Sequence, residues 1–155
     1  MDWRELDSAT CSIARTMAVL GEPWTVLVFR DVLNGVRRFD ELVEHLGIAR
    51  NVLTRRLGTL VEAGFVETRE YREPGHRARR EYRPTTAGRD LRPVLLALMA
   101  FGDRHSAGEA GPPAFAVHEC GALVALQEVC ADGHVLAPTD RVRVVPGPGA
   151  RRRSA

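Results

Sequence analysis

The sequence predicts a mostly α-helical domain with a small two-stranded β ribbon, an α+β chain, and three observations predict it. Apolar residues recur at helical spacing in four successive stretches before residue 63. Between Asp40 and Pro84 the chain reads as a short helix, a turn, an Arg-studded helix and a basic ribbon closed by Pro74-Gly75. Positive charge gathers in that same stretch. Residues 1–49 hold five Arg against eight carboxylates, residues 50–92 eleven against six, and residues 93–155 six against six, within a net charge of only +2.

A first helix is expected from Ser8, whose hydroxyl can accept a bond from an orphan amide, with Ile13, Met17 and Leu20 on one face and Gly21 as its stop. Pro23 suits the first position of a second helix, because the amide hydrogen it lacks has no partner there anyway. Trp24 to Leu33 is apolar nearly all round, which marks a helix buried on most sides. Asn34-Gly35 ends it, and Arg37 to Phe39 reads as a short strand.

Asp40 is expected to cap a third helix whose Leu42, Val43 and Leu46 face inward, with Gly47 supplying the turn and Ile48 plugging the angle to the next helix. That fourth helix is expected from Ala49 to Ala63, closed by a left-handed Gly64, with Phe65 packing back on Leu60. Leu53, Leu57, Leu60 and Val61 form its inner stripe. At 100° per residue, Asn51, Arg55, Gly58, Thr59 and Glu62 fall on the outer face, flanked by Arg50, Thr54 and Arg56.

Strands are expected from Phe65 to Arg72 and from Arg79 to Arg83, joined through Pro74-Gly75. Thr86 is expected to cap a fifth helix, Ala87 to His105, about 30 Å long, whose Leu91, Leu95, Leu98, Met99 and Phe101 give a broad apolar face. Residues 106–114 read as a linker, 115–145 as a small β-rich extension around two Cys and two His, and 146–155 as a disordered tail.

Composition narrows the function. At 155 residues and 45% apolar content the chain has a core of its own, and residues 8–105 suffice for it. The amino terminus shows no apolar signal segment and Val94–Phe101 is far too short to span a bilayer, so a cytoplasmic protein without a membrane partner is expected. The sequence has no phosphate-cradling Gly loop and no paired carboxylate motif, so no enzyme is expected and no cofactor is required. All 22 basic residues are Arg, a choice that suits bidentate recognition of phosphate and guanine and that a GC-rich genome also makes.

The order of elements is the layout of a winged helix-turn-helix, which makes duplex DNA the leading partner. The fourth helix would enter the major groove, with Asn51 and Arg55 at base edges and Arg50, Thr54 and Thr59 beside them. Arg69, Arg72, His76, Arg77, Arg79 and Arg80 of the ribbon would meet phosphates or the minor groove. The alternative is a winged-helix protein-interaction module, whose arginines are a solvated face.

Residues 11–105 resemble the HxlR family of bacterial winged-helix transcriptional regulators, related in architecture to the MarR group. The resemblance is carried by Cys11 and the helix after it, Gly21-Glu22-Pro23-Trp24-Thr25-Val26-Leu27, Arg38-Phe39-Asp40-Glu41-Leu42, Leu53-Thr54-Arg55-Arg56-Leu57, Glu62-Ala63-Gly64-Phe65-Val66, and Tyr82 through Leu91. It implies a homodimer held by the N- and C-terminal helices, on a palindromic or direct-repeat operator, often as a repressor. Phe101 stands where many relatives have Trp.

Cys11 sits where the redox- and electrophile-sensing branch of the family carries its thiol, against the plainer reading of a small buried interface residue. Met17, Trp24, Leu27, Met99 and Phe101 are candidates to line a pocket for a small apolar effector, against a plain core. His118, Cys120, Cys130 and His134 supply four ligands for a structural zinc. Similar tails in the family carry H-x-x-C-G and C-x-x-C-G. Here one spacer is shorter and Gly133 replaces the last Cys, so a metal-free hairpin is the competing expectation.

Overall fold

The computed structural model describes residues 3–72, 75 and 77–153; the expectations placed on Pro74 and His76 lie outside them. It divides into one compact unit of residues 1–90 with 145–155 and a second of residues 91–144.

In the first unit, helices α1 (Ser12–Leu20), α2 (Pro23–Leu33), α3 (Phe39–Leu46) and α4 (Arg50–Glu62) precede strands β1 (Val66–Tyr71) and β2 (Arg79–Pro84) and the short helix α5 (Thr86–Arg89). The fold is therefore mostly helical with one two-stranded antiparallel sheet, as the sequence predicts. Its register runs from Val66 opposite Pro84 to Tyr71 opposite Arg79.

Helix α2 is the centre. Val28, Phe29 and Val32 are buried in it; α2 packs on α3, α4 and β2, and α4 on β1, where Leu42, Leu53, Leu57, Leu60 and Val66 are buried as well. Each fully buried side chain of this size contributes about 1.5–3 kcal/mol. The apolar run of α2 hides one charge: Asp31 is buried and takes bonds from Arg30 (Nη2, 2.7 Å) and His45 (Nδ1, 2.6 Å), tying the end of α2 to the last turn of α3.

Glycine sets both ends of the turn region. Gly47 leaves α3 at φ 61°, and Gly64 at φ 72° closes α4 with paired bonds, its own amide to the Val61 carbonyl and that of Phe65 to Leu60, each at 3.0 Å. This double closure satisfies carbonyls that a helix end otherwise leaves bare.

Four boundaries differ from expectation. Ser8–Thr10 is a single 3-10 turn capped by Asp7, after which Cys11 turns extended and α1 starts at Ser12. Cys11 is therefore the residue before the helix, not a member of its first turn. Arg38, not Asp40, precedes α3, and its amide donates to the Glu41 carboxylate at 3.2 Å. The expected strand at Arg37–Phe39 shrinks to one bridge, Arg38 with Glu81, because Phe39 is drawn into α3.

The single helix expected over residues 87–105 is two helices, α5 and α6 (Arg92–His105), and Thr85 rather than Thr86 caps the first. Pro93 is the cause, since it has no amide to offer the Arg89 carbonyl and its ring collides with it. Gly88 permits the close fit of α5, because a Cβ there would stand 2.1 Å from the Phe65 carbonyl oxygen.

Within the first unit, Arg151–Arg153, expected in a disordered tail, pairs with Glu5–Asp7: the Asp7 amide donates to Arg151 at 2.8 Å and the Arg153 amide to Glu5 at 2.9 Å. The second unit holds α6 and, beyond it, two small hairpins bridged at Val117–Leu123 and Val129–Val135. Among the described residues no helix is long and apolar enough to cross a membrane.

Candidate nucleic-acid interface

Helix α4 presents its outer face as periodicity requires. Arg50, Asn51, Thr54 and Arg55 are exposed and Thr59 is half-buried. The Thr54 and Thr59 hydroxyls donate back to the Arg50 and Arg55 carbonyls, at 2.9 and 3.1 Å, and Asn51 Oδ1 accepts the Val52 amide at 2.9 Å. Among the described residues Arg55 has no side-chain partner, which leaves its whole donor fork available. Arg56 turns inward and pairs with Glu22 at 3.3 Å, bracing α4 against the start of α2.

Beside the start of α4 the ribbon folds over α3. The Tyr82 amide donates to the Arg37 carbonyl at 2.8 Å, and the pairing of Arg38 with Glu81 continues that edge. Between these elements lies an open cleft of about 520 Å³ lined by Arg38–Glu41, Arg50, Tyr71, Arg79, Arg80 and Tyr82. Four guanidinium groups thus face two carboxylates, Asp40 and Glu41.

Two of the four are held by aromatic faces. Arg38 lies 4.7 Å from the centre of the Tyr71 ring and Arg50 4.9 Å from that of Phe39. Such contacts are worth about 0.5–1 kcal/mol at exposed sites and orient the cation without consuming its in-plane donors. Arg50 also pairs with Asp40 at 2.9 Å, both side chains two-thirds exposed. An exposed pair of this kind is worth about 0.2–1 kcal/mol and gives way readily to a stronger anion.

Along the ribbon, Arg69 is engaged by Glu67 on its own strand at 2.9 Å, and Arg83 by Glu81. Arg72, Arg77, Arg79 and Arg80 are exposed. The structure thus brings Arg50, Arg79 and Arg80 to one cleft, keeps Asn51, Thr54 and Arg55 on the adjoining helix face, and sets Arg69 against an acid. Arg38, Tyr71 and Tyr82 belong to the cleft and were not among the residues expected there. The signal was the Arg38-Phe39 pair at the start of α3, read as a strand.

The other candidates are placed as follows. Cys11 is a half-buried free thiol. Met17 and Trp24 are exposed and Leu27 half-buried in the first unit, while Met99, half-buried, and Phe101, exposed and against the His105 ring, belong to the second. The four-ligand zinc set does not gather. Among the described residues the group of three or more ligand atoms that come within 4.8 Å of one another is that of Cys130, Asp132 and His134; His118 and Cys120 occupy the other hairpin, where the Cys120 amide donates to His118 Nδ1 at 3.3 Å.

Known proteins share this architecture. Rv3095 of Mycobacterium tuberculosis, named as an uncharacterized HTH-type transcriptional regulator, is 37% identical over 145 residues, 93% of this chain and 90% of its own length. Two solved structures named as candidate transcription factors are similar over nearly the whole chain. PA1607 has a TM-score of 0.78 at 35% identity, covering 90% of this chain and 96% of that one. PA1374 of Pseudomonas aeruginosa has 0.61 at 41%, covering 91% and 95%. Residues 19–109 match the family model described as HxlR-like helix-turn-helix, and the chain belongs to that family.

Proposed function

We propose that the chain is a sequence-specific double-stranded DNA-binding transcriptional regulator, a homodimeric repressor acting in the cytoplasm. Helix α4 enters the major groove, where Arg55 and Asn51 meet base edges, and the ribbon lies on the flanking backbone or minor groove. The observation that carries this reading is the cleft at the start of α4, where Arg38, Arg50, Arg79 and Arg80 converge, with Arg55 exposed on the same helix.

Arginines so arranged match a phosphodiester chain: each offers parallel donors at fixed geometry and stays charged at every physiological pH. The exposed pair of Arg50 with Asp40 is weak enough for phosphate to take the guanidinium from the carboxylate. Homologous regulators named as HTH-type add to the support.

The test is retardation of the DNA flanking the protein's own gene, titrated against salt. With Arg38, Arg79 and Arg80 of two copies on phosphates, log affinity should fall with log salt at a slope of about −5. A salt-independent complex, or none, would reject the reading in favour of a protein-interaction module.

A further inference from the structure

The two hairpins of the second unit share one backbone construction. In the first, the His118 amide donates to the Ala122 carbonyl at 2.9 Å, and Gly121, at φ 85°, closes the turn on the His118 carbonyl at 2.8 Å. In the second, the Cys130 amide donates to the His134 carbonyl at 3.0 Å, and Gly133, at φ 83°, closes on Cys130 at 2.9 Å. Position by position, Cys130 stands where His118 does, Asp132 where Cys120 does, and His134 where Ala122 does.

Cys130 and His134 are paired across the end of their hairpin and Asp132 lies in the turn between them, so the turn brings the three side chains to one end. Cys130 Sγ lies 3.4 Å from His134 Nδ1, and the Asp132 carboxylate completes a group whose ligand atoms all lie within 4.8 Å. Around a tetrahedral zinc, bonds of about 2.0–2.3 Å put neighbouring ligand atoms about 3.3–3.8 Å apart, so the thiol and imidazole already stand at bound spacing. Asp132 is exposed and closes the remainder by turning its own side chain. The first hairpin is the internal control: on the same backbone it has Ala122 at the third position, and its His118 Nδ1 is occupied by an amide.

We infer that residues 130–134 form a three-ligand site for a divalent transition ion of the zinc class, held by Cys130, Asp132 and His134, with the fourth position open to solvent or an incoming ligand. Thiolate and imidazole exclude magnesium and calcium, which require oxygen donors, and favour zinc or cobalt. Binding transfers the thiol proton to solvent, so affinity falls as acid competes for the sulfur. The site is separate from the DNA-binding reading and stands or falls without it.

The full chain, purified without a histidine tag, should take up one equivalent of cobalt(II). It should show both the visible bands of a tetrahedral ion and a near-ultraviolet thiolate-to-cobalt band, and lose both on adding zinc(II). Cys130→Ser should abolish the thiolate band, and Asp132→Asn and His134→Gln should each weaken cobalt binding by about tenfold or more. His118→Gln and Cys120→Ser should bind as the parent does. Absence of the thiolate band, its survival in Cys130→Ser, or its equal loss in Cys120→Ser would each overturn the assignment, the last in favour of ligands shared between the hairpins. All five substitutions are at surface turns, and an unchanged circular dichroism spectrum checks that the helices remain intact.

Discussion

A guanidinium stacked on a ring offers its flat face to the π system and keeps its N–H donors in the plane, at the edge of the stack. Arg38 lies 4.7 Å from the centre of the Tyr71 ring, and Glu41 holds both its side chain, at 3.7 Å, and its amide, at 3.2 Å. Arg38→Ala should therefore weaken binding to every DNA sequence alike and flatten the salt slope by about one. Arg55→Ala should instead cost about 1–3 kcal/mol at the preferred site and little elsewhere. Asp40→Asn should act oppositely, tightening binding and steepening the slope, because Arg50 loses its internal competitor. Fluorescence anisotropy across a salt series with specific and scrambled duplexes reads all three, and an unchanged affinity in Asp40→Asn would remove the competitor role. Arg55 was legible in the sequence because helical periodicity alone fixes the face it occupies. Arg38 was not, since its setting arises only when a ribbon more than thirty residues later folds over α3.

Elements are joined here by a few contacts whose loss should be felt along the chain. Asp31 is 2% exposed, whereas its partners Arg30 and His45 reach solvent. Asp31→Ala therefore leaves two partners, Arg30 and His45, that water can recover, and its cost should be that of lost hydrogen bonds to a charged group, about 1.5–3 kcal/mol, read as a lowered urea midpoint. A midpoint unchanged from the parent would show that the tie between α2 and α3 is idle. Gly88→Ala should also destabilise, by about 1–3 kcal/mol, because the new methyl meets the Phe65 backbone and the Phe29 ring rather than a side chain able to swing away. Elements ended by a residue with one dominant preference were legible: Pro23 opening α2, Gly64 closing α4, the ribbon after it. Where two signals competed, the boundary was misplaced. The apolar spacing of Leu91, Leu95 and Leu98 argued for one helix, and the ring of Pro93 outweighed it. Asp31 read as a mere interruption of an apolar run, because its partner His45 lies fourteen residues away. The two hairpins of the extension hid their kinship for a similar reason: a shared turn geometry needs only the valine and glycine that they have in common.

Among the described residues, one helix in each unit carries an open apolar face. On α1, Ile13 and Met17 are one turn apart and 74% and 51% exposed; on α6, Val94, Leu98 and Phe101 form a stripe 45%, 56% and 65% exposed. Contiguous apolar surface of this kind is costly in water, and a second copy presenting the same faces across a two-fold axis covers it without a new partner. A palindromic operator has the same symmetry, so pairing would also set two α4 helices into successive major grooves about 34–36 Å apart. The expected particle is a dimer by sedimentation, protecting two half-sites. Leu98→Asp places a charge in the middle of the α6 stripe and should shift the chain to a monomer that still folds, since Leu98 is exposed in the single chain. Such a monomer keeps its own phosphate contacts but loses the effective concentration of its twin, so operator affinity should fall by about 10²-fold or more while binding to an isolated half-site is preserved. A Leu98→Asp chain that sediments as the parent does, with full operator affinity, would exclude α6 from the interface and leave the face of α1 as the place to look for the symmetry axis.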